Sequence, residues 1–229
     1  MRLIKFLFSI WALSASIFSL LFVFPLYILL LKFSPNRFIG AHHLSRIWAK
    51  YLMTIWMSPV KVKGEGKIDL NQTYILVSNH QSQIDIPVAA LATKVPFKFL
   101  AKNELTKIPL LGFIIKSIYI TVERGSTTQR FKSYLKMKDC LSEGISVWLF
   151  PEGTRNKTEE KLGQLNDGAF KLSVEMGIPM MVCNIKGTKK VLPAGKMFEF
   201  FPNRVELEWF GPFLSEDYQE LKSKFIDCF

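Results

Sequence analysis

The amino-acid sequence predicts an α/β protein, a mixed β-sheet covered by helices, with an N-terminal membrane-associated helical segment ahead of it. Three observations carry this expectation. A long uncharged apolar run occupies Phe6 to Leu31, short β-forming runs alternate with amphipathic ones from Pro59 onward, and no Pro-rich or Ser-rich linker divides them. At 229 residues, 49% hydrophobic and 21% charged, the chain can bury one good-sized core and is not a disordered protein. The expected division is residues 1–58 as a membrane anchor and residues 59–229 as a single globular domain.

Taken in order, Phe6 to Leu31 would reach roughly 39 Å as a helix, more than the hydrocarbon core of a bilayer, so it can span with tilt or a kink near Pro25. A cleavable signal peptide is the competing reading, and Ala12-Leu13-Ser14-Ala15-Ser16 offers the small residues it needs, but the apolar run continues well past that point. Arg46 and Lys50 with Trp48, Tyr51 and Trp56 then suit a second helix, from about Leu44 to Met57, lying at the membrane interface. Basic residues flank the apolar run on both sides, so charge does not fix its orientation.

Within the globular part, strands are expected at Val60–Lys63, Tyr74–Ser78, Phe97–Ala101, Ile118–Val122, Ser146–Phe150, Met180–Ile185 and Val205–Phe210, each rich in β-formers. Helices are expected at Val88–Thr93, with Pro87 at the first turn, at Thr127–Leu141, where Phe131, Tyr134, Leu135 and Leu141 form a stripe, and at Gly168–Met176, closed by Gly177. Gly64 and Gly66 mark a turn; a dinucleotide fingerprint needs a third glycine.

The formal charge of +11 attracts anions of every kind: nucleic acid, anionic lipid and phosphorylated small molecules. Nucleic acid is disfavoured because the aromatic residues sit in apolar runs and not on a charged platform. Cys140, Cys183 and Cys228 are odd in number, widely spaced and in apolar settings, which suits free thiols, and His42-His43 lacks acidic or thiol companions, so no metal site is expected.

The chemistry gathers in two segments. His80 and Asp85 in Asn79-His80-Gln81-Ser82-Gln83-Ile84-Asp85 could not face each other on one straight helix, because five residues turn it by about 500°. His80 is therefore expected in a loop that folds back, letting Asp85 hold one ring nitrogen while the other accepts a proton. No Gly-x-Ser-x-Gly elbow occurs, so a substrate hydroxyl can serve as nucleophile. Downstream, Phe150-Pro151-Glu152-Gly153-Thr154-Arg155 places a carboxylate, a flexible backbone and a guanidinium at the end of a strand. Arg155 offers a fork for phosphate oxygens, Gly153 permits close backbone approach, and Glu152 can accept from a substrate hydroxyl.

On these residues the chain resembles the 1-acylglycerol-3-phosphate acyltransferases, also called lysophosphatidate acyltransferases, over about Val60 to Pro212. Asn79 to Asp85 matches the family's Asn-His-x₄-Asp block and Phe150 to Arg155 its Phe-Pro-Glu-Gly-Thr-Arg block. Ala101 to Leu105 resembles its Lys-x-Glu-Leu segment and Val122-Glu123-Arg124 its Ile-Asp-Arg segment. The resemblance implies a catalytic pair, His80 and Asp85, and a substrate-binding set of Lys102, Arg124, Glu152, Gly153, Thr154 and Arg155, with no metal and no cofactor.

It further implies acyl transfer from acyl-CoA or acyl-ACP to the sn-2 hydroxyl of lysophosphatidate, giving phosphatidate. Lys102, Arg124 and Arg155 would hold the phosphate, Glu152 would align the glycerol, and N–H groups of the His80 loop would face the oxyanion. The partners implied are these substrates, a phospholipid membrane and, as a candidate donor, acyl carrier protein. The implied location is a membrane, with the catalytic domain on the cytoplasmic face as in a bacterial inner membrane. Two departures stand out: Ile178-Pro179-Met180-Met181-Val182-Cys183 keeps only the first proline of the family's later block, and Asp167 stands where a lysine is frequent. They leave glycerol-3-phosphate or another lysophospholipid as alternative acceptors; a noncatalytic membrane-binding protein is the more distant alternative.

Overall fold

The computed structural model describes residues 2–122 and 127–229. Two helices come first, α1 at Arg2–Phe33 and α2 at Arg37–Ile55, followed by strand β1 at Val60–Lys63 and β2 at Ile75–Ser78. The chain continues through α3 (Asp85–Ala92), β3 (Phe97–Lys102), α4 (Leu111–Ile118), β4 (Ile120–Val122), α5 (Thr127–Ser142) and β5 (Ser146–Leu149). It ends with α6 (Gly168–Met176), β6 (Met180–Lys186), the short α7 (Thr188–Val191), β7 (Val205–Phe213) and α8 (Tyr218–Asp227).

The seven strands form one mixed sheet in the order β1-β7-β6-β2-β5-β3-β4. Pairing is parallel throughout except between β6 and β7. All seven strands lie where the alternation of β-forming runs places them. The strand termini shift by one to three residues, β7 running on to Phe213, because pairing, not propensity, ends a strand.

The pleat splits the core into two layers. Leu76, Phe97, Phe99, Trp148, Met181 and Trp209 face α3 and the inner sides of α1 and α2. Ile75, Val77, Val147, Met180 and Val182 face α5, α6 and α8. Strands buried on both faces explain why β2 and most of β6 read as continuous apolar runs with no polar alternation.

Helix α1 contains an 18-residue stretch of mean hydropathy 2.3 and runs through Pro25 without a break. Its polarity is reversed relative to a helix of a water-soluble protein. Three of its four serines point inward, Ser14 being exposed: Ser9 Oγ accepts from the Phe200 N–H at 2.9 Å, Ser16 Oγ from Trp56 Nε1 at 3.0 Å, and Ser19 Oγ from Trp48 Nε1 at 2.9 Å, while Tyr27 and Ser45 share a 2.6 Å hydrogen bond. The outward face carries Leu3, Phe6, Ile17, Phe18, Phe22 and Leu29, all exposed. An apolar surface of this extent marks an interaction face, and on a helix of this length and composition it fits membrane association. Of the small residues near Ala12 that invited a cleavage reading, Ala12 is fully buried and Ser16 is bonded to Trp56, while Ser14 is exposed.

Helix α2 begins at Arg37, seven residues before the expected Leu44. Its inner side packs on α3, and Arg46 donates to the Ala90 carbonyl at 3.0 Å, satisfying an end-of-helix acceptor of α3. Arg46 is thus a packing and capping residue more than an interfacial one.

Candidate active site

Four neighbouring parallel strands, β2, β5, β3 and β4, end at the same edge of the sheet. Their carboxyl ends therefore carry His80, the Glu152–Arg155 turn, Lys102 and the chain leading to Arg124 side by side, at the edge where ligands bind in open α/β sheets. Arg124 itself lies outside the described residues.

His80 sits in the loop after β2, as its spacing from Asp85 requires, and α3 starts at Asp85, three residues before the expected Val88, with Pro87 in the first turn. Asp85 is fully buried, and its Oδ2 accepts from three donors: His80 Nδ1 at 2.8 Å, the Gln81 N–H at 2.7 Å and the Ser82 N–H at 2.8 Å. This fixes the proton on Nδ1 and presents Nε2, which has no partner among the described residues, as the basic atom. Phe150 stacks on the imidazole, with centroids 4.0 Å apart and planes at 19°, so the ring cannot swing away.

The loop is fastened at both ends. Asn79 makes a two-way amide clamp with Ile185, donating from Nδ2 to its carbonyl and accepting from its N–H, each at 2.8 Å. Ser82 Oγ donates to the Leu192 carbonyl at 2.6 Å. The second segment closes on the first: Glu152 Oε1 accepts the His80 N–H at 2.6 Å, and the Asn156 N–H donates to the His80 carbonyl, also at 2.6 Å.

This geometry bears on two expectations. Glu152 is only 5% exposed and its second oxygen takes the Gly163 N–H at 2.8 Å, so both oxygens already hold the chain's own backbone. In this structure it braces the His80 loop. Burial pushes its carboxyl above the ordinary range, while the two N–H groups pull it back. The N–H groups of His80, Gln81 and Ser82 are likewise all engaged with Glu152 or Asp85, which leaves none of the three for an oxyanion.

Of the expected anion ligands, Arg155 is half-buried and has no hydrogen bond or ion pair among the described residues, leaving its fork open. Gly153 is exposed and adopts φ +66°, which a side chain rarely tolerates, and Thr154 next to it is also exposed. Lys102 is exposed and pairs with Glu104 at 3.0 Å, a surface contact weak enough to give way to a ligand. Asp167 binds Lys222 of α8 at 2.7 Å, so its charge is answered locally.

Sequence reasoning did not single out Gly163, Asn156 or the stacking role of Phe150. A Cβ on Gly163 would stand 2.8 Å from Glu152 Oε2, a requirement created by a fold-back of the chain with no local signature. Asn156 directly follows the Arg155 block, and its adjacency was the one available signal.

The other reactive groups are occupied in packing. Cys140 and Cys183 are buried, Cys228 half-buried, and all three are free; burial raises each thiol, Cys228 to about 11, which suits none of them to nucleophilic work. No cluster of metal-ligating side chains occurs among the described residues. His42 is buried edge-on against Phe97, with centroids 4.9 Å apart, and burial lowers its pKa from 6.5 to about 4, helped by Arg46 and His43. The unfolded chain binds this proton at higher pH than the folded one, so stability from His42 is complete above 6.5 and lost as pH falls to about 4. A decline of order 3 kcal/mol is expected over that window. Thermal midpoints of His42→Gln in detergent should fall less steeply across it.

The acyltransferase family model matches residues 59–186. Curated relatives include a 1-acyl-sn-glycerol-3-phosphate acyltransferase of Chlamydomonas reinhardtii, 27% identical over 78% of this chain and 54% of its own length. A chloroplastic enzyme of the same name from Arabidopsis thaliana is 29% identical over 72% of this chain and 46% of its own. The chain thus spans about half the length of these relatives. The crystal structure of the 1-acyl-sn-glycerophosphate acyltransferase PlsC from Thermotoga maritima superposes with a TM-score of 0.86 at 24% identity, covering 100% of this chain and 94% of that one.

Proposed function

The chain belongs to the acyltransferase family, and we propose that it transfers an acyl group from a thioester to the sn-2 hydroxyl of a lysophosphatidate, forming phosphatidate. The observation that carries this reading is the dyad itself. His80 Nδ1 is held by a fully buried Asp85, while Nε2 and the Arg155 side chain at the same sheet edge have no hydrogen-bond or ion-pair partner among the described residues.

In the proposed reaction Nε2 takes the proton of the acceptor hydroxyl as its oxygen attacks the thioester carbonyl. The C–O bond forms, the C–S bond breaks, and the thiolate leaves as coenzyme A or acyl carrier protein, receiving the proton from the imidazolium. Asp85 stabilises the imidazolium; no acyl-enzyme is involved. Arg155, Lys102 and Arg124 bind the phosphate, with Gly153 and Thr154 giving its oxygens close approach to the backbone. Glu152 acts one step removed, by holding the His80 main chain. Residues 1–58 serve as membrane anchor and residues 59–229 as catalytic domain. Because the donor is water-soluble and cytosolic while the acceptor is a lipid, the site faces the cytoplasm or the equivalent soluble compartment, such as a stroma.

The test offers labelled acyl-CoA and acyl-ACP to the purified chain in liposomes with lysophosphatidate, glycerol-3-phosphate and lysophosphatidylcholine in parallel. Phosphatidate from the first acceptor is expected; a preference for either of the others would replace the substrate and keep the chemistry. Arg155→Ala should raise KM for lysophosphatidate by roughly ten- to a hundredfold, since charge-assisted bonds to phosphate are among the stronger ones, and leave KM for the thioester unchanged.

A further inference from the structure

Apolar exposure is not confined to α1. Between β3 and β4 the chain makes a short 3₁₀ turn at Asn103–Lys107 and then α4, and this segment exposes Leu105, Ile108 and Phe113 on its outer side. Lysines 102, 107 and 116 are exposed around them. Phe113 and Lys116 are one helical turn apart on α4, while Ile114, Ile115 and Ile118 turn inward.

The segment is not a loose loop. Leu110 holds φ +62°, an uncommon backbone state for a residue with a side chain, and a Cβ on Gly112 would overlap the Thr106 carbonyl oxygen. Such strain persists only where the surroundings hold it, and here it fixes the angle at which the apolar side chains are presented.

What covers this surface is indicated by its neighbour. Phe113 meets Phe24 of α1 edge-on, with centroids 5.7 Å apart, and Ile114 and Ile118 share a buried cluster with Tyr27 of α1 and Leu44 of α2. The exposed face of α4 therefore continues the outward apolar face of α1. Lys107 and Lys116, with Lys102 paired to Glu104 at 3.0 Å, leave the rim of this apolar patch net positive, which matches an anionic phospholipid interface.

We propose that residues 103–118 are a second membrane-contacting platform, seated on the anionic lipid interface beside α1. Lys102 lies at its base, at the sheet edge shared with His80, so the platform brings the mouth of the site to headgroup depth. A lysolipid could then present its phosphate while its acyl chain remains in the bilayer. This use of the platform rests on the proposed lysophosphatidate reaction; the membrane contact does not.

The test uses the full chain with Cys228→Ser, reconstituted in liposomes containing anionic phospholipid, and a nitroxide attached through Phe113→Cys. An identical label at Phe131→Cys, an exposed phenylalanine of α5 on the opposite layer, is the control. The label at 113 should be relaxed more by oxygen, which concentrates in lipid, than by a water-soluble nickel complex, and the label at 131 the reverse. Equal behaviour at the two positions overturns the platform, whatever the enzymatic activity.

In a second arm, Leu105→Ser, Ile108→Ser and Phe113→Ser are combined. Turnover of long-chain lysophosphatidate in liposomes should fall by about tenfold or more, the equivalent of one side chain withdrawn from an apolar contact. Turnover of a short-chain, water-soluble lysophosphatidate should be retained. Equal loss on both substrates, or no loss on either, overturns the delivery role. Absence of turnover in the parent chain overturns the proposed reaction instead, and leaves the labelling to decide the contact.

Discussion

His80→Ala is expected to lower turnover by about 10²- to 10⁴-fold while leaving the thermal midpoint and liposome association essentially unchanged. The imidazole is 15% exposed, and its contacts are the Asp85 carboxylate and the face of Phe150. The main-chain bonds of residue 80, to Glu152 and from Asn156, do not depend on the side chain and survive its removal. Kinetics with acyl thioester, a melting curve and a flotation assay on one preparation separate the outcomes. Retained turnover would remove His80 from the chemistry; joint loss of activity and fold would make its role structural. Asp85→Asn should also lose turnover, but with a lower midpoint, because Oδ2 holds two backbone N–H groups as well as the ring.

The second large effect is expected at Glu152, and it distinguishes bracing from substrate contact. Glu152→Ala leaves the N–H groups of His80 and Gly163 without their acceptor, at about 1–3 kcal/mol for each that water does not reach. The His80 loop should relax, so kcat falls while KM for lysophosphatidate stays near the parent value. A direct glycerol contact would instead raise KM. Gly163→Ala provides the independent arm: its added methyl presses on Glu152 Oε2 from the loop at 160–165 and so acts through the carboxylate. It should reproduce the kcat loss, and the double variant should be less than additive, since both disturb one contact. A parent-like Gly163→Ala enzyme would count against the brace.

The legibility of the fold differed between elements for identifiable reasons. Strands such as β2 and β6 are continuous apolar runs, buried on both faces by helices, and are marked in the sequence by composition alone. Helix α6 matched its expected limits because Gly177, in the left-handed conformation, stops it. Helix α4 was not anticipated: Leu111 to Ile118 is strongly apolar over a length that suits a strand as well as a helix, and only its packing on α1 and α2 decides. Helix α8 was likewise passed over, its ten residues being short and polar apart from the side chains, Leu221 and Phe225, that reach the core.

At the site, the sequence by itself determined which chemical groups are present and in what order. It also placed His80 in a loop before a helix, because the rotation per residue forbids the alternative. The direction of each polar side chain was a tertiary matter. Glu152 and Arg155 lie three residues apart in one turn, yet one is buried against the backbone of β2's loop and the other is left open. A carboxylate accepts from whatever N–H groups the fold brings within 3 Å, and those came from residues 72 positions before Glu152 and 11 after it. Local sequence encodes the donor and the acceptor; only the assembled sheet, with β2 and β5 side by side, decides that they meet.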